Sequence, residues 1–166
     1  MRFWPVHTQD DLRDMYQGNR GNETARKYAR FWAVVFSLGV MPRRWVTLEV
    51  PGRITGRLTR FPLGMATQGG KSYLVSMLGD ECNWVKNVRA ANCEVVIRHR
   101  RASACRLVEV DVSQRAPLIK LYLKQVPGAR PHIRIDRRAN VGQFESIAPS
   151  TPVFLVLRKG EVASTE

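Results

Sequence analysis

Very little in this chain can act as a nucleophile or hold a metal. Its three cysteines, Cys82, Cys93 and Cys105, make no Cys-x-x-Cys pair, and their number is odd. That argues against a disulfide framework and fits a reducing compartment with buried or incidental thiols. The three histidines, His7, His99 and His132, are scattered without metal-ligand spacing. No Gly-x-Ser-x-Gly elbow and no Gly-Lys-Ser/Thr phosphate loop occur. Long apolar runs are missing too: Phe31 to Met41 reaches only half of the ~20 residues a membrane span needs. The first residues, with Trp4, Pro5 and the acidic Asp10-Asp11, do not read as a secretion signal, so the expected location is the cytoplasm.

Acidic residues are scarce as well. Against 27 lysines and arginines stand 14 aspartates and glutamates, a net charge of +13. The chain is otherwise an ordinary globular mix, so the charge imbalance is its one compositional departure. At 166 residues it is long enough to form one domain with a sizeable core. An acidic ligand, an anionic membrane surface and nucleic acid are the three partners such a balance suits. Arginines and aromatics are not interleaved as a base-stacking platform requires, so nucleic acid is the weakest of the three. The apolar run at 31–41 lies between Arg26, Lys27, Arg30 and Arg43-Arg44. A helix there either packs on the core or rests on the inner face of an anionic membrane.

The pattern along the chain predicts helices first and strands afterwards. A short polar helix is expected over 8–18 and a second over 23–38, ending near Gly39 and Pro42. From Trp45 the period falls to two, as in a half-buried strand. A second strand is expected near 58–67, a hairpin turn at Gln68-Gly69-Gly70-Lys71 and a third strand over 72–78. Asn83 can cap a short helix carrying Trp84, Val88 and Ala90. Strands over 94–100 and 105–112 are expected to pair around Arg101-Ala102-Ser103. Helices near 114–125 and 140–147 and a last strand over 152–157 complete the chain. About six mostly consecutive strands favour an α+β protein whose antiparallel sheet closes as a barrel. Residues 1–44 are then N-terminal helices packed on or beside the barrel, 45–158 the barrel itself, and 159–166 a flexible tail.

The segment Pro51 to Leu63 is the most informative. Gly52 and Gly56 bracket a turn between two apolar runs, and Arg53, Arg57 and Arg60 fall within eight residues. A turn frees backbone N–H groups, and arginines beside it supply fixed positive charge, which together suit a polyanionic ligand.

The order of these features resembles a known family. A Leu48-Glu49-Val50 strand leads to a Gly-Arg-x-Thr-Gly turn and then to Arg60-x-Pro62-Leu63. A strand ending in Ser76 follows, then a loop and Trp84-Val85-Lys86-Asn87. From Trp45 to Val112 this is similar to the deazaflavin-dependent nitroreductases of actinobacteria, members of the flavin-binding split-barrel superfamily. The resemblance implies a split β-barrel that binds coenzyme F(420), a deazaflavin with a phosphodiester and an oligoglutamate tail. It implies hydride transfer to a quinone-like, nitro or other activated acceptor. A deazaflavin carries its own hydride, so the protein need only bind, orient and shield it.

Positions carry over from the resemblance. Arg53, Thr55, Gly56, Arg57 and Arg60 would meet the phosphate and acidic tail. Phe61, Pro62 and Leu63 would border the ring, and Ser76, Met77, Leu78 and Gly79 would run along it. Trp84 and Asn87 match the Trp-x-x-Asn pair of the short helix. His132 stands near the family's substrate-side segment, as a candidate proton donor to a reduced acceptor. No metal is implied. Relatives carry basic residues where Ile54 and Thr59 stand, so this turn has fewer charges than theirs. The alternative is a non-catalytic barrel holding FMN, haem or a hydrophobic ligand, or a peripheral membrane binder. A homodimer is compatible with each of these.

Overall fold

The computed structural model of the chain describes residues 23–159. The helix expected over 8–18 and the tail from residue 160 lie outside them. The described chain opens with α1 (Glu23–Ser37), followed by β1 (Trp45–Pro51), β2 (Leu58–Gly64), β3 (Ala66–Gln68) and β4 (Lys71–Val75). Then come α2 (Asn83–Ala90), β5 (Glu94–His99), β6 (Arg101–Glu109), α3 (Val112–Gln125), α4 (Val141–Glu145) and β7 (Val153–Arg158).

All seven strands form one sheet in the order β2-β1-β5-β6-β7-β4-β3, with every pairing antiparallel. The two edges, β2 and β3, are consecutive in the chain and separated only by Met65. The amide of Met65 bonds the carbonyl of Arg44 at 2.7 Å instead of a strand neighbour. Because one stretch of chain supplies both edges, the sheet must curl back on itself, as the sequence pattern predicts for a barrel. The strand expected over 58–67 is thus divided in two, which gives seven strands where about six were expected. The β3–β4 turn uses Gly69 and Gly70, both at positive φ (56° and 76°), the backbone that a two-residue hairpin demands. The β5–β6 turn falls at Arg100, with φ 62°, and not at 101–103. Residues 101–103 pair directly with β5.

Strand β1 departs from the half-buried pattern: Val46 through Val50 are all buried. Val46, Leu48 and Val50 face one core cluster, together with Leu63, Leu74, Trp84, Val85, Val88, Ile97, Leu107 and Phe154. The opposite face is covered from outside. Thr47 donates its hydroxyl hydrogen to the Ala33 carbonyl of α1 at 2.6 Å, and Glu49 is enclosed by two arginines. Ala25, Ala33 and Phe36 form the buried stripe of α1, at the spacing of one helical face. Gly39 ends that helix at φ 65°, and Arg100 closes it by donating its amide to Ser37 O (3.0 Å) and its Nε to Gly39 O (3.2 Å).

Alternation along β4 and β7 feeds a second cluster. Leu74 and Phe154 point into the first, whereas Val75 and Val153 meet Ile119, Tyr122, Leu123 and Val126 of the α3 layer. Asp111 caps α3 by accepting from the Ser113 amide at 2.9 Å. The buried Tyr122 hydroxyl donates to the Gly64 carbonyl at 3.1 Å, so α3 is pinned to the last residue of β2. A Cβ on Gly64 would collide with Val126 Cγ1. Replacing Gly64 with Ala is therefore expected to destabilise the fold by about 1–3 kcal/mol through overpacking. Urea denaturation checks this, and an unchanged midpoint would contradict the close approach of α3 to β2.

Candidate functional site

The turn between β1 and β2 is held from two sides. Internally, the Gly52 amide bonds Arg57 O and the Gly56 amide bonds Gly52 O, both at 2.8 Å, and Gly56 takes φ 68°. The Arg57 amide donates to Thr55 Oγ1 at 3.3 Å. Externally, the turn is bolted to α2. The buried Asn87 side chain accepts from the Arg53 amide (3.3 Å) and from Arg53 Nη1 (2.9 Å). Its own Nδ2 donates to Thr59 Oγ1 at 3.3 Å, and Thr59 donates in turn to Val50 O at 2.6 Å. Asn83 Oδ1 accepts from both terminal nitrogens of Arg53 at 3.3 Å. The cap of α2 is consequently Cys82, in extended conformation, and not Asn83, whose side chain is occupied by Arg53.

This arrangement fixes a cation without neutralising it. Arg53 is oriented by two neutral amide oxygens, and neither Arg53 nor Arg57 makes an ion pair among the described residues. The amides of Ile54 and Thr55 likewise have no acceptor among the described residues, and open space surrounds the Cβ position of Gly56. A fixed guanidinium beside free N–H groups on an open turn is a fitting donor set for phosphate and carboxylate oxygens.

Arg60 is placed differently. It pairs with Glu49 across the hairpin (Nε to Oε1, 3.0 Å), and Arg98 donates to both oxygens of the same carboxylate at 3.0 and 3.2 Å. Alternation puts Arg60 on the outer face of β2, while Phe61 and Leu63 join the inner cluster. Pro62 is half-buried on the outer face, opposite Thr47. Arg98, with Arg60 beside it, holds the Glu49 carboxyl below its ordinary value.

The second group lies around the loop after β4. Ser76 is fully buried, and its hydroxyl donates to Gly79 O at 2.6 Å and meets Cys82 Sγ at 3.3 Å. Gly79 returns its amide to Ser76 O and sits at φ 87°. Met77 packs against the α3 cluster and Leu78 against the inner one, so this loop lies where the two cores meet. Burial pushes the Cys82 thiol up, the direction that disfavours the thiolate. Trp84 is 6% exposed and packs against Phe154, with ring centroids 5.5 Å apart and planes tilted by 59°; its ring belongs to the core. Arg89 ties this loop down, reaching Asp80 at 2.7 Å and Glu109 at 2.8 Å. The Arg89 guanidinium keeps the Asp80 carboxyl low.

The turn, the Ser76–Gly79 loop and α2 therefore form one assembly, with Asn83 and Asn87 facing the turn and Cys82 facing the loop. His132 comes from another part of the chain, after α3 and next to Ile133, which packs into the α3 cluster. The sequence pattern assigned no place in the site to Glu49 or Thr59, and read Asn83 only as a helix cap. Glu49 was discoverable by counting outward from the turn, since Pro51 opposite Leu58 puts Glu49 opposite Arg60. Among the described residues no group of His, Cys, Asp and Glu could hold a metal.

The described chain is a curled antiparallel sheet of seven strands whose basic turn is tied to a short helix. The family model for F(420)H2-dependent quinone reductases matches residues 20–143, well over half of the chain, and the chain belongs to that family. It is an F(420)H2-dependent oxidoreductase, and its cofactor is the deazaflavin F(420). Among solved structures it is similar to an F(420)-H2 dependent reductase (FDR-A), at 22% identity and TM-score 0.49 over 70% of this chain and 96% of that one. It is also similar to a protein of unknown function from Agrobacterium tumefaciens, at 12% identity and TM-score 0.51 over 80% and 58% of the two chains. No curated protein matches the chain.

Two outcomes test the local geometry. Replacing Glu49 with Gln is expected to cost about 1–3 kcal/mol at neutral pH, the scale of hydrogen bonds to charged groups. Because the folded carboxyl is depressed, its stabilisation is present above the unfolded carboxylate pKa and lost as pH falls through the folded one. The gap between variant and wild type should then close in acid, and a pH-independent gap in denaturation midpoints would refute the ion pair. Replacing Asn87 with Ala should destabilise the fold by about 1–3 kcal/mol, because buried partners lose their bonds. A thermal melt indistinguishable from wild type would contradict the tie.

Proposed function

We propose that the chain binds reduced F(420) with its phosphodiester and glutamate tail on the Arg53–Arg57 turn and delivers the hydride to a quinone-like acceptor. The observation that carries this reading is Arg53, held in place by Asn83 and Asn87 with its charge left free. When bound, the reduced deazaflavin supplies the hydride. The chain supplies placement: Arg53 and Arg57 pair with tail oxygens through the guanidinium fork. Phe61, Pro62 and Leu63 border the ring from β2, and the Ser76–Gly79 loop offers backbone groups along it. Trp84 and Asn87 act from behind, Trp84 by filling the core beneath the site and Asn87 by orienting Arg53. His132 serves as a proton donor on the acceptor's side.

Arg60 has a lesser part in this reading, since Glu49 already offsets its charge. Replacing Arg53 with Ala should raise the dissociation constant for F(420) by about tenfold or more, and replacing Arg60 should raise it less, on the scale of charged hydrogen bonds. Calorimetric titration gives both constants. Oxidation of F(420)H2 by menadione, followed by absorbance, tests the reaction; no oxidation above background would refute the reductase assignment.

A second reading concerns where the acceptor is met. Phe31 (61% exposed), Val34, Leu38 and Val40 (76%) lie open beside exposed Arg30, Arg43 and Arg44. No helix among the described residues is long and apolar enough to cross a membrane. The face suits instead an anionic bilayer surface, where apolar quinones dissolve. Cosedimentation with anionic but not neutral vesicles is the expected result, and equal recovery with both would contradict it.

A further inference from the structure

We propose that a cleft at the C-terminal end of α3 binds a small molecule with an apolar body and an anionic head. The cleft has a volume of about 380 Å³, within the few hundred Å³ typical of small-molecule sites. Leu123, Ile133 and Ile135 give it apolar walls, and Arg130, Arg134 and Arg137 line it with positive charge. Arg130 is fixed in place: its Nε donates to Leu123 O (3.1 Å) and its Nη2 to Lys124 O (3.3 Å), which leaves Nη1 for a ligand. The one acid in the lining, Asp136, is turned onto its own loop, accepting from the Arg138 amide at 2.6 Å. None of the three arginines makes an ion pair among the described residues. Three guanidinium groups against one carboxylate leave the lining net positive over an aliphatic floor, which matches a carboxylate, phosphate or sulfonate carried on a hydrophobic frame. A neutral molecule would use only the floor.

Calorimetric titration of the full chain with 2-naphthoate and with its neutral counterpart 2-naphthylmethanol tests this. The acid should bind saturably and the alcohol at least about tenfold more weakly, the scale of one charged hydrogen bond. Arg134→Ala and Arg137→Ala should each weaken naphthoate binding by about tenfold. Their melting temperatures should stay at the wild-type value, since neither side chain holds a hydrogen bond that the fold uses. Equal affinity for acid and alcohol, or arginine variants that bind as wild type, would overturn the proposal. Repeating the titration at saturating F(420) separates the cleft from the cofactor site: naphthoate should still bind, and its displacement would overturn the proposal by assigning the bound acid to the cofactor site. Binding is read directly, so a failure of the reductase reading leaves this result intact.

Discussion

Both edges of the sheet come from one uninterrupted stretch of chain, and much else follows from that constraint. β2 and β3 are joined through Met65 alone, so the sheet can satisfy both edges only by curling. The short α2 contributes Trp84, Val85 and Val88 to the inner core. The outer faces are left to α1 and α3. α2 also lies against the β1–β2 turn, where its two asparagines reach Arg53.

Charge is handled in two ways on this molecule. Where arginines meet carboxylates, as in the Glu49, Arg60 and Arg98 group or between Arg89, Asp80 and Glu109, they fasten strands and loops. Such groups contribute through geometry and enclosure more than through bare attraction. Where arginines are positioned by amide or backbone oxygens, as Arg53 and Arg130 are, the charge stays available. A protein with this large net positive charge cannot be read from its total alone; which cations are spent and which are kept separates scaffold from site.

Much of this was legible in the sequence. The period-two runs, the Gly69-Gly70 turn and the switch to helical spacing at Asn83 mark most of the elements, because local backbone chemistry decides them. The basic turn was visible as glycines beside arginines. Other features depend on tertiary cover and were not visible. Two-sided burial of β1 requires knowing that α1 lies outside it. The break at Met65 requires knowing that the sheet curls there. Arg60 and Arg53 look alike in sequence, and only the hairpin register and the approach of α2 give one a carboxylate and the other two amides. Trp84 could have been a cofactor contact or a core anchor by pattern; its packing on Phe154 places its ring in the core.

The central claim is that Asn87 acts on the cofactor through Arg53. A double-mutant cycle measured by calorimetric titration of F(420) into wild type, Arg53→Ala, Asn87→Ala and the double variant tests it most directly. The account predicts that each single change weakens binding and that the double variant is barely worse than Arg53→Ala alone. Fully additive losses, or affinity unchanged in every variant, would contradict it.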